Sequence, residues 1–289
     1  MSQKPLKTLR NRPMDALEYR VWHALREIMK NTYGKYLLPF DVEYKTKESR
    51  TFHGKCYYAH DGIICHIELA NPYRKLSDLI VTAIHELAHH CDYCVSGGHP
   101  HGHGKEFYNE YSKLIVTACH MGIIKESNIN AGFHADSRDH NKILKAIAGK
   151  NLRLIPELEY GKDLTLFKTF PDYESRNYVK DLGFRFNPRN KSWEKILNVK
   201  DIKKYTNYLN IVKIKHETAS LLDIQLRAHI FVEGETYQYK DALKLKGYHF
   251  DQKRKVWNKY AFSDTVKEEK SWLDLLCQQS RITYKVIYS

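Results

Sequence analysis

The sequence predicts an α+β protein with a helix-rich N-terminal domain followed by two small tandem α+β repeat modules. Three observations point to it. Helical and strand periodicities alternate through the first 150 residues. A glycine-rich, histidine-rich loop interrupts two apolar helices. The C-terminal half repeats itself at a fixed offset. The domains are placed at 1–150, 151–215 and 216–289.

The elements follow in chain order. Residues 15–31, DALEYRVWHALREIMKN, put Leu17, Val21, Leu25 and Ile28 at helical spacing. FDVEYKTK and FHGKCYYAHDGIICHIELA are rich in β-branched and aromatic residues, and Asp61-Gly62 between apolar runs signals a hairpin. A second helix opens near Ser77, with Ser77 or Asp78 as cap, and runs through LIVTAIHELAHHCDY. GGHPHGHG has to be a loop. KEFYNEYSKLIVTACHMG resumes helical spacing, and SRDHNKILKAIAGKN reads as a further short helix stopping at Gly149.

Shifting the chain by 64 residues lays NYVKDLGFRFNPRNKSWEK (177–195) on DALKLKGYHFDQKRKVWNK (241–259) without gaps. Lys180/Lys244, Gly183/Gly247, Phe186/Phe250, Lys191/Lys255, Trp193/Trp257 and Lys195/Lys259 are identical, and Phe167/Phe231 and Tyr173/Tyr237 coincide upstream. Each copy reads as strand, short helix, glycine stop, tight hairpin and longer helix.

Composition narrows the function classes. The net charge of +13 is spread over both halves, 21 basic against 16 acidic residues up to residue 150 and 26 against 18 after it. A nucleic acid is therefore the expected polyanionic partner, with an acidic membrane surface as the weaker option. No apolar run reaches the length of about 20 residues that crosses a bilayer. The basic N-terminus is not followed by an apolar signal core, so a cytoplasmic protein is expected, or a nuclear one. Six cysteines without a secretion signal should be reduced, with Cys91 and Cys94 serving helix packing.

The chemistry is concentrated in residues 85–107. His85-Glu86-Leu87-Ala88-His89 is an H-E-x-x-H on a helix, and the i, i+4 spacing aligns both imidazoles to share a Zn²⁺. Glu86 is rotated off the metal axis yet close enough to act as general base toward a water. A catalytic zinc takes three protein ligands. His90, His99, His101, His103 and His120 compete for the third place. His90 points about 100° round the helix from His89. His103, between two glycines and anchored by Phe107 at the next helix start, is preferred, with His99 or His101 as alternatives.

HELAHH followed by GHGKEF, with His103 eighteen positions after His85, resembles the SprT-like metalloproteases, which include Spartan-type proteases acting on proteins crosslinked to DNA. The resemblance spans about residues 12–150. It implies a zincin-like SprT-type fold, a zinc metallopeptidase, His85, His89 and His103 as zinc ligands, Glu86 as catalytic base, and protein substrates. The cysteine-rich zinc ribbon carried by many members is absent, and the tandem modules stand in its place. Tyr57, Tyr58, Tyr108 and Tyr111 are candidates for stabilising an oxyanion.

In each module the hairpin interleaves cations with a ring: Arg185, Arg189, Lys191 and Lys195 around Trp193, then Lys253, Arg254, Lys255 and Lys259 around Trp257. That combination suits nucleic-acid contact, although the tryptophans are expected in the module cores. The G-[FY]-x-F-x₄-K-x-W pattern loosely resembles the HARP-type modules of annealing helicases. Together these readings give a zinc peptidase acting on DNA-bound or DNA-crosslinked proteins. The competing readings are a non-enzymatic nucleic-acid-binding protein on an inactive protease scaffold, and a regulatory peptidase that cuts one soluble partner without DNA.

Overall fold

The computed structural model describes residues 8–9, 12–45, 53–70, 76–131, 137–188, 191–221 and 227–288. The chain divides into two compact units, one formed by Met1–Pro72 with Ser77–Asp223, the other built on Ile224–Ser289.

The first unit opens with α1 (Ala16–Tyr33), started by a capping box in which Asp15 and Glu18 satisfy each other's backbone N–H groups. Gly34 stops it with a left-handed φ of 68°. Its apolar stripe, Leu17, Val21, Leu25 and Ile28, is buried. Three strands follow, β1 (Phe40–Tyr44), β2 (Gly54–Tyr57) and β3 (Cys65–Leu69), in the order β1-β3-β2. β3 runs parallel to β1 and antiparallel to β2, and all five of its residues are buried. Asp61 and Gly62 both take positive φ in the β2–β3 connection, which suits a tight hairpin turn.

Two long helices carry the site, α2 (Leu76–Val95) and α3 (Lys105–His120), joined by the glycine-rich loop. The side chains of Ser77 and Asp78, the expected caps, lie outside the described residues. Ile80, Ile84 and Leu87 of α2 and Phe107, Tyr111, Leu114 and Ile115 of α3 are buried, so both helices are held as core elements. Then come α4 (Glu126–Ala131) and α5 (Ser137–Ile147). All six cysteines are free thiols.

The same unit continues with β4 (Leu164–Thr169), α6 (Arg176–Asp181), β5 (Arg185–Asn187), β6 (Ser192–Asn198), α7 (Ile202–Ile211) and β7 (His216–Ala219). They form a sheet of order β5-β6-β4-β7, and a core of Phe167, Val179, Phe184, Leu197, Leu209 and Ile214 lies under its helices. The opposite face is closed by α1. Arg20, only 6% exposed, donates to Leu221 O and reaches Glu194 at 3.4 Å, while Arg185 donates to Met14 O and lies over the Tyr19 ring.

The second unit holds β8 (Arg227–Gly234), α8 (Lys240–Leu245), β9 (His249–Asp251), β10 (Val256–Phe262), α9 (Ser263–Gln279) and β11 (Ile282–Tyr288), with sheet order β11-β8-β10-β9. Its core is Ile230, Val232, Leu243, Tyr248, Trp257, Ala261, Val266, Leu273 and Ile282.

Two expectations need correction. The boundary between 215 and 216 cuts a sheet, because β7 pairs with β4. The upstream match of Phe167 with Phe231 is also one residue out of register. Phe167 pairs with Lys195, whereas Ile230 pairs with Lys259, so Ile230 is the counterpart of Phe167. A slip of one residue moves a side chain to the other sheet face. Phe231 therefore does not share the core position of Phe167. Among the described residues no helix is long and apolar enough to cross a membrane.

Candidate metal centre

Burial of the apolar stripe of α2 fixes the helix, and the i, i+4 spacing then sets His85 and His89 side by side with ring centroids 5.1 Å apart. The loop after α2 brings in a third imidazole. His103 Nε2 lies 3.1 Å from His85 Nε2 and 3.1 Å from His89 Nε2.

This contact has a chemical consequence. Each neutral Nε2 has one in-plane position, holding either a proton or a lone pair. His103 can therefore satisfy one of its two neighbours by hydrogen bonding, but not both. Three lone pairs turned toward one shared cation resolve the conflict. Ligands about 2.0–2.1 Å from a tetrahedral zinc stand roughly 3.3 Å from one another, close to the spacing here. The described residues contain one His, Cys, Asp and Glu cluster of this kind, His85, His89 and His103, with ligand atoms within 4.8 Å. An all-imidazole set suits zinc among the biological dications.

The loop is tied down from α2. Asp92, one turn after His89 and 2% exposed, accepts His101 N–H at 2.7 Å through Oδ2 and contacts His101 Nδ1 at 2.8 Å through Oδ1. That hydrogen bond raises the His101 imidazole above its ordinary value. Gly97, Gly98 and Gly102 take positive φ along this loop, where side chains with a Cβ are disfavoured. Phe107, fully buried, stacks on the His89 ring at 4.3 Å, and Tyr111 meets the His85 ring edge-on at 5.2 Å. Burial, followed by the His89 and His103 neighbours, pushes His85 well below the ordinary imidazole value. It is therefore neutral and able to donate its lone pair.

Glu86 is 6% exposed, and burial raises its carboxyl to about 8. Gly54 of β2 faces it: a Cβ there would stand 2.7 Å from both Cγ and Oε1 of Glu86. The missing side chain at residue 54 is thus the space that the Glu86 carboxyl occupies.

The other histidines are committed elsewhere. His90 Nε2 meets Leu38 O at 2.9 Å, and His120 Nε2 meets Asn151 O at 2.8 Å. His99 is exposed, with its N–H on Ser96 Oγ. Of the four tyrosines considered for an oxyanion role, Tyr111 and Tyr108 are in ring contact with the histidines, the latter 6.4 Å from His103. Tyr58 instead stacks on Tyr93, and Tyr57 is 39% exposed beside His66. Sequence reasoning missed Gly54 and Asp92, since neither belongs to a motif.

The hairpin cations divide. Lys195 donates to Leu182 O and Tyr205 Oη, Lys259 to Glu269, and Arg185 is occupied with α1. Lys191 and Lys255 are exposed, both at positive φ in their turns. Lys253 and Arg254 are exposed, their N–H groups bound by Asp251. Arg189 lies outside the described residues.

Residues 23–123 match the family model described as the SprT-like family. No curated protein matches the chain, and no solved structure does.

Proposed function

Residues 23–123 of this chain form a SprT-like domain, and from that premise we propose a zinc-dependent peptidase that cleaves DNA-bound or DNA-crosslinked proteins. The observation that carries the proposal is the double contact of His103 Nε2 with His85 and His89 beside the buried carboxyl of Glu86. In this reading the domain has a zincin-like fold, and His85, His89 and His103 hold the ion. When bound, zinc supplies Lewis acidity and brings the pKa of a water toward neutrality.

The chain's own residues supply the rest. Glu86 takes the proton of the attacking water and hands it to the leaving amine. A carboxyl raised by burial and lowered again by a dication is well placed to move a proton in both directions near neutral pH. Phe107 and Tyr111 keep the ligand rings from turning, and Asp92 keeps the third ligand from leaving with its loop. The tandem modules, basic over 151–289, hold the enzyme on DNA and raise its concentration near DNA-bound substrates.

The test is hydrolysis of a DNA-binding protein by wild type and Glu86→Gln, with and without DNA. Cleavage by wild type alone, accelerated by DNA, is expected. Equal inertness of both proteins would sink the peptidase reading. Cleavage indifferent to DNA would remove the substrate class and leave the chemistry.

A further inference from the structure

The 64-residue repeat gives the two modules a set of shared positions, and folding explains most of them. Gly183 and Gly247 take φ of 82° and 81° just after their short helices, where a Cβ is disfavoured. Lys195 and Lys259 bond within their own modules, the first to Leu182 O and Tyr205 Oη, the second to Glu269. Trp193 and Trp257 pack with the module cores. Folding gives no such reason for the shared Tyr173 and Tyr237, which are 80% and 81% exposed.

Each tyrosine stands three residues before a short helix, and the first residue of that helix lies over its ring. Arg176 Cζ is 4.9 Å from the Tyr173 centroid, and Lys240 Nζ is 4.6 Å from that of Tyr237. A cation therefore takes one π-face of each ring, a contact that adds little stability at so exposed a site. The exposure of both rings leaves the rest of their surface open to solvent.

Strand register puts further shared positions at the same end of each sheet. In the first module Phe186 pairs with Trp193, and Trp193 with Thr169, four residues before Tyr173. In the second Phe250 pairs with Trp257, and Trp257 with Val232, five residues before Tyr237. The two phenylalanines lean on their tryptophans at centroid distances of 5.6 and 5.3 Å and stay 41% and 47% exposed. Lys191 and Lys255 sit in the adjoining hairpin turns, exposed, at φ of 55° and 53°. One end of each module thus presents two exposed rings, one cation on the helix and one in the turn.

We propose that this end of each module binds single-stranded nucleic acid, so that the chain carries two equivalent sites. Bases stack on Tyr173 and Phe186 in one and on Tyr237 and Phe250 in the other. Arg176 and Lys191, or Lys240 and Lys255, meet the phosphates. Exposed rings flanked by cations match a strand that offers a free base face and a phosphate at every step, whereas a duplex keeps its bases stacked inside. The charge agrees in both modules. Residues 151–223 hold fourteen Lys and Arg against ten Asp and Glu, and residues 224–289 hold twelve against eight. The inference rests on the tethering half of the function proposed above, and it names the form of strand and the rings that hold it.

The experiment titrates the full chain against labelled oligo-dT and oligo-U of about eight nucleotides, and against a duplex of about 20 base pairs, by fluorescence anisotropy. Wild type should take up two short strands per chain. Tyr173→Ala and Tyr237→Ala should each weaken one site about tenfold, leaving one tight site, and the double variant should leave none. Tyr→Phe at either position should bind as wild type and Tyr→Leu as Tyr→Ala, because stacking needs a ring. Both positions are exposed, so thermal melting should be unchanged in every variant. Tighter binding of oligo-U assigns RNA as the ligand, and tighter binding of oligo-dT assigns DNA. A single site in wild type, two tight sites in a folded Tyr→Ala variant, or rescue by Tyr→Leu would overturn the paired stacking sites and leave tethering standing. Binding of duplex without any binding of short strands would do the same. If wild type binds neither strand nor duplex, both readings are wrong.

Discussion

Glu86 concentrates the residue-scale consequences of the fold. Its carboxyl is raised by burial from the ordinary 4.5 to about 8 in the metal-free protein. The native state therefore keeps a proton that the unfolded chain releases, and stability falls as pH rises from about 4.5 to about 8. Metal-free Glu86→Gln should consequently melt higher than wild type at pH 8.5, by on the order of 3 kcal/mol, with the gap closing toward pH 4. Thermal melts of chelated protein across that range check it. Zinc binding at pH 7 should also release a proton from Glu86, seen in calorimetry as a heat that depends on the ionisation enthalpy of the buffer. Gly54→Ala should push the carboxyl aside, lowering turnover about a hundredfold while zinc stays bound. Glu86 was legible because its spacing from His85 and His89 is a local pattern. Gly54 was not, because its role comes from a strand brought across the helix by tertiary packing.

At the scale of elements, the ligand geometry depends on the loop between α2 and α3. The glycine run marked it as a loop, and Phe107 marked where it is anchored. Sequence preferred His103 for its anchored place before α3 but kept His99 and His101 as alternatives, because the three alternate along one loop. The structure adds Asp92, which takes up both His101 N–H and Nδ1 and leaves His103 turned toward the other two imidazoles. Asp92→Ala should keep all three ligands but weaken zinc affinity about tenfold, measured by competition with a chromophoric chelator. The helices were readable from their apolar stripes, as with Leu17, Val21 and Leu25 of α1, whereas the Asp15–Glu18 box that starts α1 was not read from the sequence. β7 was not: HETA is four mostly polar residues whose strand character comes from pairing with β4.

At the scale of the whole molecule, the 64-residue offset lays α6 on α8, β5 on β9 and β6 on β10 residue for residue. The two copies differ in the residues on their second sheet face, Leu166, Lys168, Glu194 and Ile196 in the first against His229, Phe231, Asn258 and Tyr260 in the second. In the first module that face is shut by α1 through Arg20, whose guanidinium compensates the buried Glu194. Arg20→Ala should destabilise the protein by about 3 kcal/mol in denaturant melts, because it strands that carboxylate. This asymmetry was hidden in the sequence, since neither Arg20 nor Glu194 carries a signal that one faces the other across 174 residues. The account as a whole stands on one ion held jointly by His85, His89 and His103, and the most direct test is zinc per chain, counted by elemental analysis after gel filtration. It requires about one zinc in wild type, Glu86→Gln and His101→Ala, and almost none in His103→Ala. Zinc retained by His103→Ala but lost from His99→Ala or His101→Ala would contradict it.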